Sequence, residues 1–153
     1  MGLWMVELDY YDSWYHDAPD LHKSLGLLVA LLWLGRILWR CFDRLPEAES
    51  SFTRWERRLS LLMHRLFYLL IILLIVAGYL IPTAENAGVS FFGLFDVPAL
   101  ITAFEEQADV AGWIHWALAW LIIACAGIHS IAALRHHFYN RDRTLLKMLG
   151  CKK

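Results

Sequence analysis

An all-α integral membrane bundle is the fold this sequence predicts, and three observations predict it. Hydrophobic residues make up 59% of the 153 and charged residues only 19%, whereas soluble domains run at about 45–50% apolar. Three apolar stretches are each long enough to cross a hydrocarbon core of about 30 Å at about 1.5 Å per residue. The remaining charges are gathered in the connections, so the net charge of −1 carries no message of its own. Residues 1–153 read as a single membrane domain without linker, repeat or low-complexity tract.

Met1 to Leu8 is apolar but too short to span a bilayer or to act as a signal peptide, and it reads as the tail end of a helix. From Asp9 to Asp20, four aspartates among three tyrosines and Trp14 predict a wet interfacial loop. Pro19 marks a helix start, with Asp20 as a cap. The first span is predicted over 21–42. It is free of charge from Ser24 to Gly35 and bears Arg36 and Arg40 near its end, so Arg36 must snorkel or find a partner. A polar connection with Pro46, Arg54, Arg57 and Arg58 follows. The second span, 66–84, contains no charged residue, and Pro82 closes it. The loop Glu85 to Asp109 contains Gly88, Gly93 and Pro98, with a short surface helix expected around Leu100 to Glu106. The third span, 110–134, is the longest uncharged run.

Basic residues orient the chain. Residues 40–65 carry six arginines and residues 135–153 carry six lysines and arginines, while 1–22 and 82–111 hold five acids each and no lysine or arginine. The positive-inside rule places the arginine-rich connection and the C-terminus in the cytoplasm and the N-terminus outside. Trp14, Trp39, Trp55 and Trp113 fall where interfacial belt residues belong.

The seven histidines carry the chemistry, because an ionisable group at membrane depth is costly and reads as functional. His115 and His129 share the third span, fourteen residues apart. That separation is about 21 Å of rise and returns to within about 40° of the starting direction. One helix thus aims two imidazoles the same way at two depths, as two haems stacked across a membrane require. Gly112, Ala119, Ala126 and Ala133 recur every seven residues near that face and leave room for a flat macrocycle, although such stripes also serve plain helix packing. Electron-transfer b-cytochromes use two axial imidazoles per iron. His22, at the outer end of the first span, is level with His115 and makes a credible outer pair. His64, at the cytoplasmic end of the second span, could partner His129 or could be an interfacial residue beside Arg65. Arg36 could neutralise haem propionates, shape a quinone site or contact anionic lipid. His136 and His137 read as solvated or headgroup residues, and His16 as exposed.

Cys41, Cys125 and Cys151 lie far apart and read as small apolar filler. The absence of CxxC and CxxCH removes a zinc knuckle, a thioredoxin-like site and covalent haem attachment from consideration. No carboxylate or cysteine neighbours the intramembrane histidines, which disfavours a non-haem metal shell.

These residues resemble the bacterial cytochrome b561 family, which includes the cytochrome b subunits of nickel–iron hydrogenases and formate dehydrogenases. The likeness is carried by LHKSLG around His22, RILWR at 36–40 and MHRLFYLL around His64. It continues in GWIHWALAWLIIACAGIHSIAALRHHF at 112–138 and the RDRTLLKM that follows. The resemblance implies an up-and-down four-helix bundle in the bacterial cytoplasmic membrane, holding two b-type haems and exchanging electrons with the quinone pool, ubiquinone among the candidates. It implies His22 and His115 as ligands of the outer haem and His129 as one ligand of the inner. The second inner ligand would come from the start of a first helix of which MGLWMVEL matches only the end. The inner site is therefore expected to be incomplete in this chain unless His64 serves, and a misassigned start is the favoured explanation.

The function expected is single-electron transfer between an unknown outer-face redox partner and membrane quinone, with lipid as solvent and no nucleic acid involved. The alternatives are a non-catalytic membrane anchor for a soluble redox enzyme and a superoxide–quinone oxidoreductase. Ten acids without a lysine or arginine in the outer segments are poorly suited to attracting an anion, and whether the chain is an enzyme depends on its partner.

Overall fold

The computed structural model describes residues 1–43, 53–142 and 145–146. The elements run α1 (Gly2–Met5), α2 (Asp17–Phe42), α3 (Arg54–Thr83), β1 (Val89–Phe91), β2 (Phe95–Val97) and α4 (Gln107–Phe138). Helices α2, α3 and α4 are long and apolar enough to cross a membrane, as the three predicted spans require. Each begins before its predicted span, because the polar residues ahead of it are themselves a good helix start.

Asp17 and Asp20 occupy the first turn of α2 and Arg40 its last, both favourable to the helix dipole. Pro19 lies inside that first turn, where its missing N–H costs nothing. Asp20 is therefore not the cap; it pairs with Lys23 at 2.6 Å, and His16 holds the cap position without a side-chain bond. The start of α3 is a capping box formed by Thr53 and Glu56. Thr53 N–H and its hydroxyl both donate to Glu56 Oε2 at 2.8 Å, and Glu56 N–H returns to Thr53 Oγ1 at 3.3 Å. Arg135, His136 and His137 lie in the last turn of α4. Leu31, Leu32, Leu34 and Leu38 of α2 are exposed, as side chains facing lipid are.

The chain divides into two compact units, Met1–Asp43 with Ile72–Trp116, and Arg44–Ile71 with Ala117–Lys153. In the first, β1 and β2 pair antiparallel with Phe91 opposite Phe95. The turn takes positive φ at Phe92 (51°) and Gly93 (70°), and Leu94 N–H donates to Phe91 O at 2.9 Å. Two positive φ values match the right-handed strand twist. Ser24, 4% exposed, holds the hairpin to α2: its hydroxyl donates to Ser90 O at 3.1 Å and accepts Phe92 N–H at 3.0 Å.

The surface helix expected around Leu100 to Glu106 does not form; residues 98–104 have no regular structure. Helix side chains take the backbone groups that such a helix would have paired. Tyr79 OH donates to Pro98 O and accepts Leu100 N–H, at 2.7 and 3.0 Å. Gln107, 2% exposed, accepts Ala103 N–H at 2.7 Å and donates to Leu80 O at 2.9 Å, with Thr83 Oγ1 and Ile101 O at 3.2 and 3.3 Å. Removing that amide strands several buried groups. Gln107→Leu is expected to cost about 1–3 kcal/mol, read as a lower thermal midpoint in detergent and faster proteolysis within 98–106.

Candidate haem sites

Within the first unit, α2 and α4 bring His22 and His115 together, with ring centroids 6.0 Å apart and planes at 88°. Imidazole nitrogens sit about 2 Å from a metal, which puts the centres of two rings in line across one ion about 6 Å apart. That spacing would let His22 and His115 share a single iron. His22 is steadied by the backbone of α1: a Cβ at Gly2 would lie 3.1 Å from its Cε1.

His115 is held from α3. Its Nδ1 lies 2.9 Å from Leu74 O, so Nδ1–H donates and Nε2 keeps the lone pair that a metal needs. Access to that carbonyl depends on Gly78. Side chains on a helix lean toward its N-terminus, so a residue covers the turn before it, and a Cβ at 78 would cover the carbonyl of residue 74. Such a Cβ would meet His115 Cε1 at 2.8 Å and Nδ1 at 3.0 Å, closer than packed atoms sit. Glycine removes it and lets the imidazole reach the backbone. A Cβ added at Gly112, one turn before His115, would meet no described atom within 4 Å, so that side of α4 has room for a flat group.

In the second unit, His64 of α3 and His129 of α4 approach to 5.5 Å between ring centroids at 75°, and Phe67 packs edge-on against His129 at 5.6 Å. The sequence left His64 open between an inner ligand and an interfacial residue, and the structure places it beside His129. A shared iron would need the rings to part by about half an ångström, judged against the same metal–imidazole bond length. The small-residue stripe is not one continuous contact surface, since Ala133 is buried and Ala126 exposed.

Arg36 lies on α2, exposed and fourteen residues beyond His22, about 21 Å along the helix; it is not part of the His22–His115 site. His16 is exposed, its ring against Tyr15 at 5.0 Å. His136 differs from the solvated residue expected. Its side chain is 12% exposed, and its Nδ1 lies 2.6 Å from Asp142 Oδ2. Among the described residues, no group of three or more histidine, cysteine or carboxylate side chains converges as a metal cage. Sequence reasoning missed Leu74 and Gly78. The available signal was a lone glycine among large apolar residues in the second span, a position that costs helix stability unless something approaches closely.

Residues 1–150 match the prokaryotic cytochrome b561 family. The chain is 44% identical over 150 residues to cytochrome b561 homolog 2 of Escherichia coli K12, covering 98% of this chain and 80% of that protein. It is 28% identical over 144 residues to cytochrome b561 homolog 1 of the same organism, covering 92% and 80%. It is 30% identical over 143 residues to the probable superoxide oxidase CybB of Yersinia pestis, covering 94% and 79%. With three helices able to cross a membrane and a histidine pair spaced for one iron, the chain belongs to the prokaryotic cytochrome b561 family, membrane cytochromes that transfer electrons through b-type haem.

Proposed function

We propose that this chain carries single electrons across the bacterial cytoplasmic membrane between an outer-face redox partner and quinone, through an outer and an inner haem b. The observation that carries the reading is the His22–His115 pair, 6.0 Å apart, with the tautomer of His115 set by Leu74 O at 2.9 Å. His22 and His115 hold the outer group. His129 holds the inner one, with His64 the nearest candidate for its second ligand. Haem b, when bound, supplies an iron that takes and releases one electron at a time.

The residues around the pairs orient and insulate. Leu74 and Gly78 fix the direction of His115 Nε2, Phe67 packs an apolar edge against His129, and the spans keep water from both. The arginine-rich ends face the cytoplasm under the positive-inside rule. The outer segments, with ten acids and no lysine or arginine, suit an uncharged or cationic partner over an anion.

Haem content by pyridine haemochrome per mole of detergent-purified chain tests the reading. Two haems are expected, and none would leave the membrane-anchor alternative in its place. The family resemblance gives the second inner ligand to a histidine on a preceding helix. Loss of the inner haem in His64→Leu assigns the position to His64, and its survival assigns it elsewhere. A second reading, superoxide–quinone oxidoreduction, is favoured by the relative named as a probable superoxide oxidase. Haem reduction by a superoxide flux, abolished by dismutase and steep in ionic strength, would support it over a protein donor.

A further inference from the structure

We propose that Ser24 is a positioning residue for the outer site: its hydroxyl clamps the 89–97 hairpin onto α2, and the clamp sets where His22 stands opposite His115. This rests on the reading of that pair as the outer haem site. Ser24 follows His22 by two residues, about 3 Å of rise and about 200° around the helix. The two side chains therefore leave opposite sides of α2 at nearly one depth. One faces His115 of α4, with ring centroids 6.0 Å apart, and the other faces the hairpin. The outer end of α2 is gripped from both sides.

The grip on the hairpin side is specific. Ser24 is 4% exposed, and its single oxygen serves two backbone groups, donating to Ser90 O at 3.1 Å and accepting Phe92 N–H at 3.0 Å. Helical hydroxyls commonly turn back on the carbonyl one turn earlier, as Thr83 does to Tyr79 O and Ser130 to Ala126 O. Ser24 instead gives its hydroxyl to a different element. Sliding α2 by one residue, or turning it by the 100° between neighbours, would break both bonds. The clamp thus fixes the helix in depth and in rotation.

The hairpin can hold α2 in place because it is itself held. It lies in the segment between α3 and α4, the two helices that control His115: α4 carries the ring, and α3 holds its Nδ1 through Leu74 O at 2.9 Å. Ahead of the hairpin, Ala87 N–H donates to Pro82 O at 3.2 Å. Beyond it, Tyr79 and Gln107 bind residues 98–103, and Thr102 Oγ1 donates to Thr83 O at 2.8 Å. A hydrogen-bonded path therefore runs from the helix that carries His22 to the helices that orient His115. Ligands of one site must hold their places to within about 0.5 Å and 10–20°, and this path ties the two elements together.

The rate of haem loss from the purified full chain to apomyoglobin, followed for each haem, tests the role. The outer haem is the one missing in His115→Leu. In Ser24→Ala it is expected to leave about tenfold faster, the low end of what an outer-shell partner of a ligating histidine is worth. Its low-spin electron paramagnetic resonance signal should shift, while the inner haem keeps the parent rate. Ser24→Thr retains the hydroxyl and is expected to retain the parent rate and signal. Gly88→Val reaches the clamp from the hairpin alone, because a Cβ there would meet Val97 O at 2.9 Å and force the strands apart. It is expected to loosen the outer haem likewise, which keeps the test decisive if Ser24→Ala misfolds. An outer rate unchanged in Ser24→Ala or Gly88→Val, equal loosening of both haems, or a Ser24→Thr chain as loose as Ser24→Ala overturns the inference alone. Absence of any haem that responds to His115→Leu overturns the reading of the outer pair and this inference with it.

Discussion

His115→Leu is expected to lower the haem content of the chain by one equivalent and to leave its three long helices inserted. Leucine keeps the helix propensity and apolar character of α4, and Leu74 O retains its place in the backbone ladder of α3, so no buried group is stranded. What would disappear is one of the two imidazoles proposed to hold the outer haem, and His22 would face a leucine methyl across the 6.0 Å that had separated the rings. Pyridine haemochrome per mole reads the loss, and far-UV circular dichroism in detergent reads the helices. An unchanged haem signal in this variant would remove His115 from the site and the outer pair with it.

Gly78→Leu is expected to have a comparable effect without replacing a histidine. Its Cβ would stand 2.8 Å from His115 Cε1, so the ring must swing away and surrender the bond to Leu74 O. Loss of an outer-shell partner of a ligating histidine typically costs 10–100-fold in affinity. Gly78→Ala should fall in that range, and the bulkier leucine should empty the outer site. The sign on the scaffold is opposite, because replacing glycine within a helix gains about 0.5–1 kcal/mol. The expected signature is therefore outer haem lost while α3 is as stable as before or more so. Full haem occupancy with the parent spectrum in Gly78→Leu would show that the close approach plays no part in holding the ligand.

Much of this was legible because a membrane allows few choices. A span must be apolar and helical, which left Leu66–Ala84 and Val110–Leu134 unambiguous, and the fourteen-residue spacing of His115 and His129 is a property of one rigid helix. The pairing of His22 with His115 followed from depth alone. The depth of His64 was also readable, but its direction was not, because at a helix end an interfacial role and a ligand role look the same in sequence. The loop after Pro82 was misread for a different reason. Leu100–Glu106 has helical spacing, yet its backbone groups are claimed by Tyr79, far from it in sequence, and by Gln107, whose amide is itself anchored on Leu80 O of α3. The 89–97 hairpin depends on a hydroxyl of α2, Ser24, which no local pattern reveals. The part played by Leu74 was hidden for the same cause, because it acts through a carbonyl that any residue would carry.

The partner of His115 decides which substitutions can reach it. Its Nδ1–H donates to Leu74 O, a peptide carbonyl that any residue at that position supplies. A change of side chain at 74 therefore leaves the acceptor in place. The hold on the ring is exposed to mutation at Gly78 instead, one turn further along the same helix, where an added Cβ would meet the imidazole at 2.8 Å.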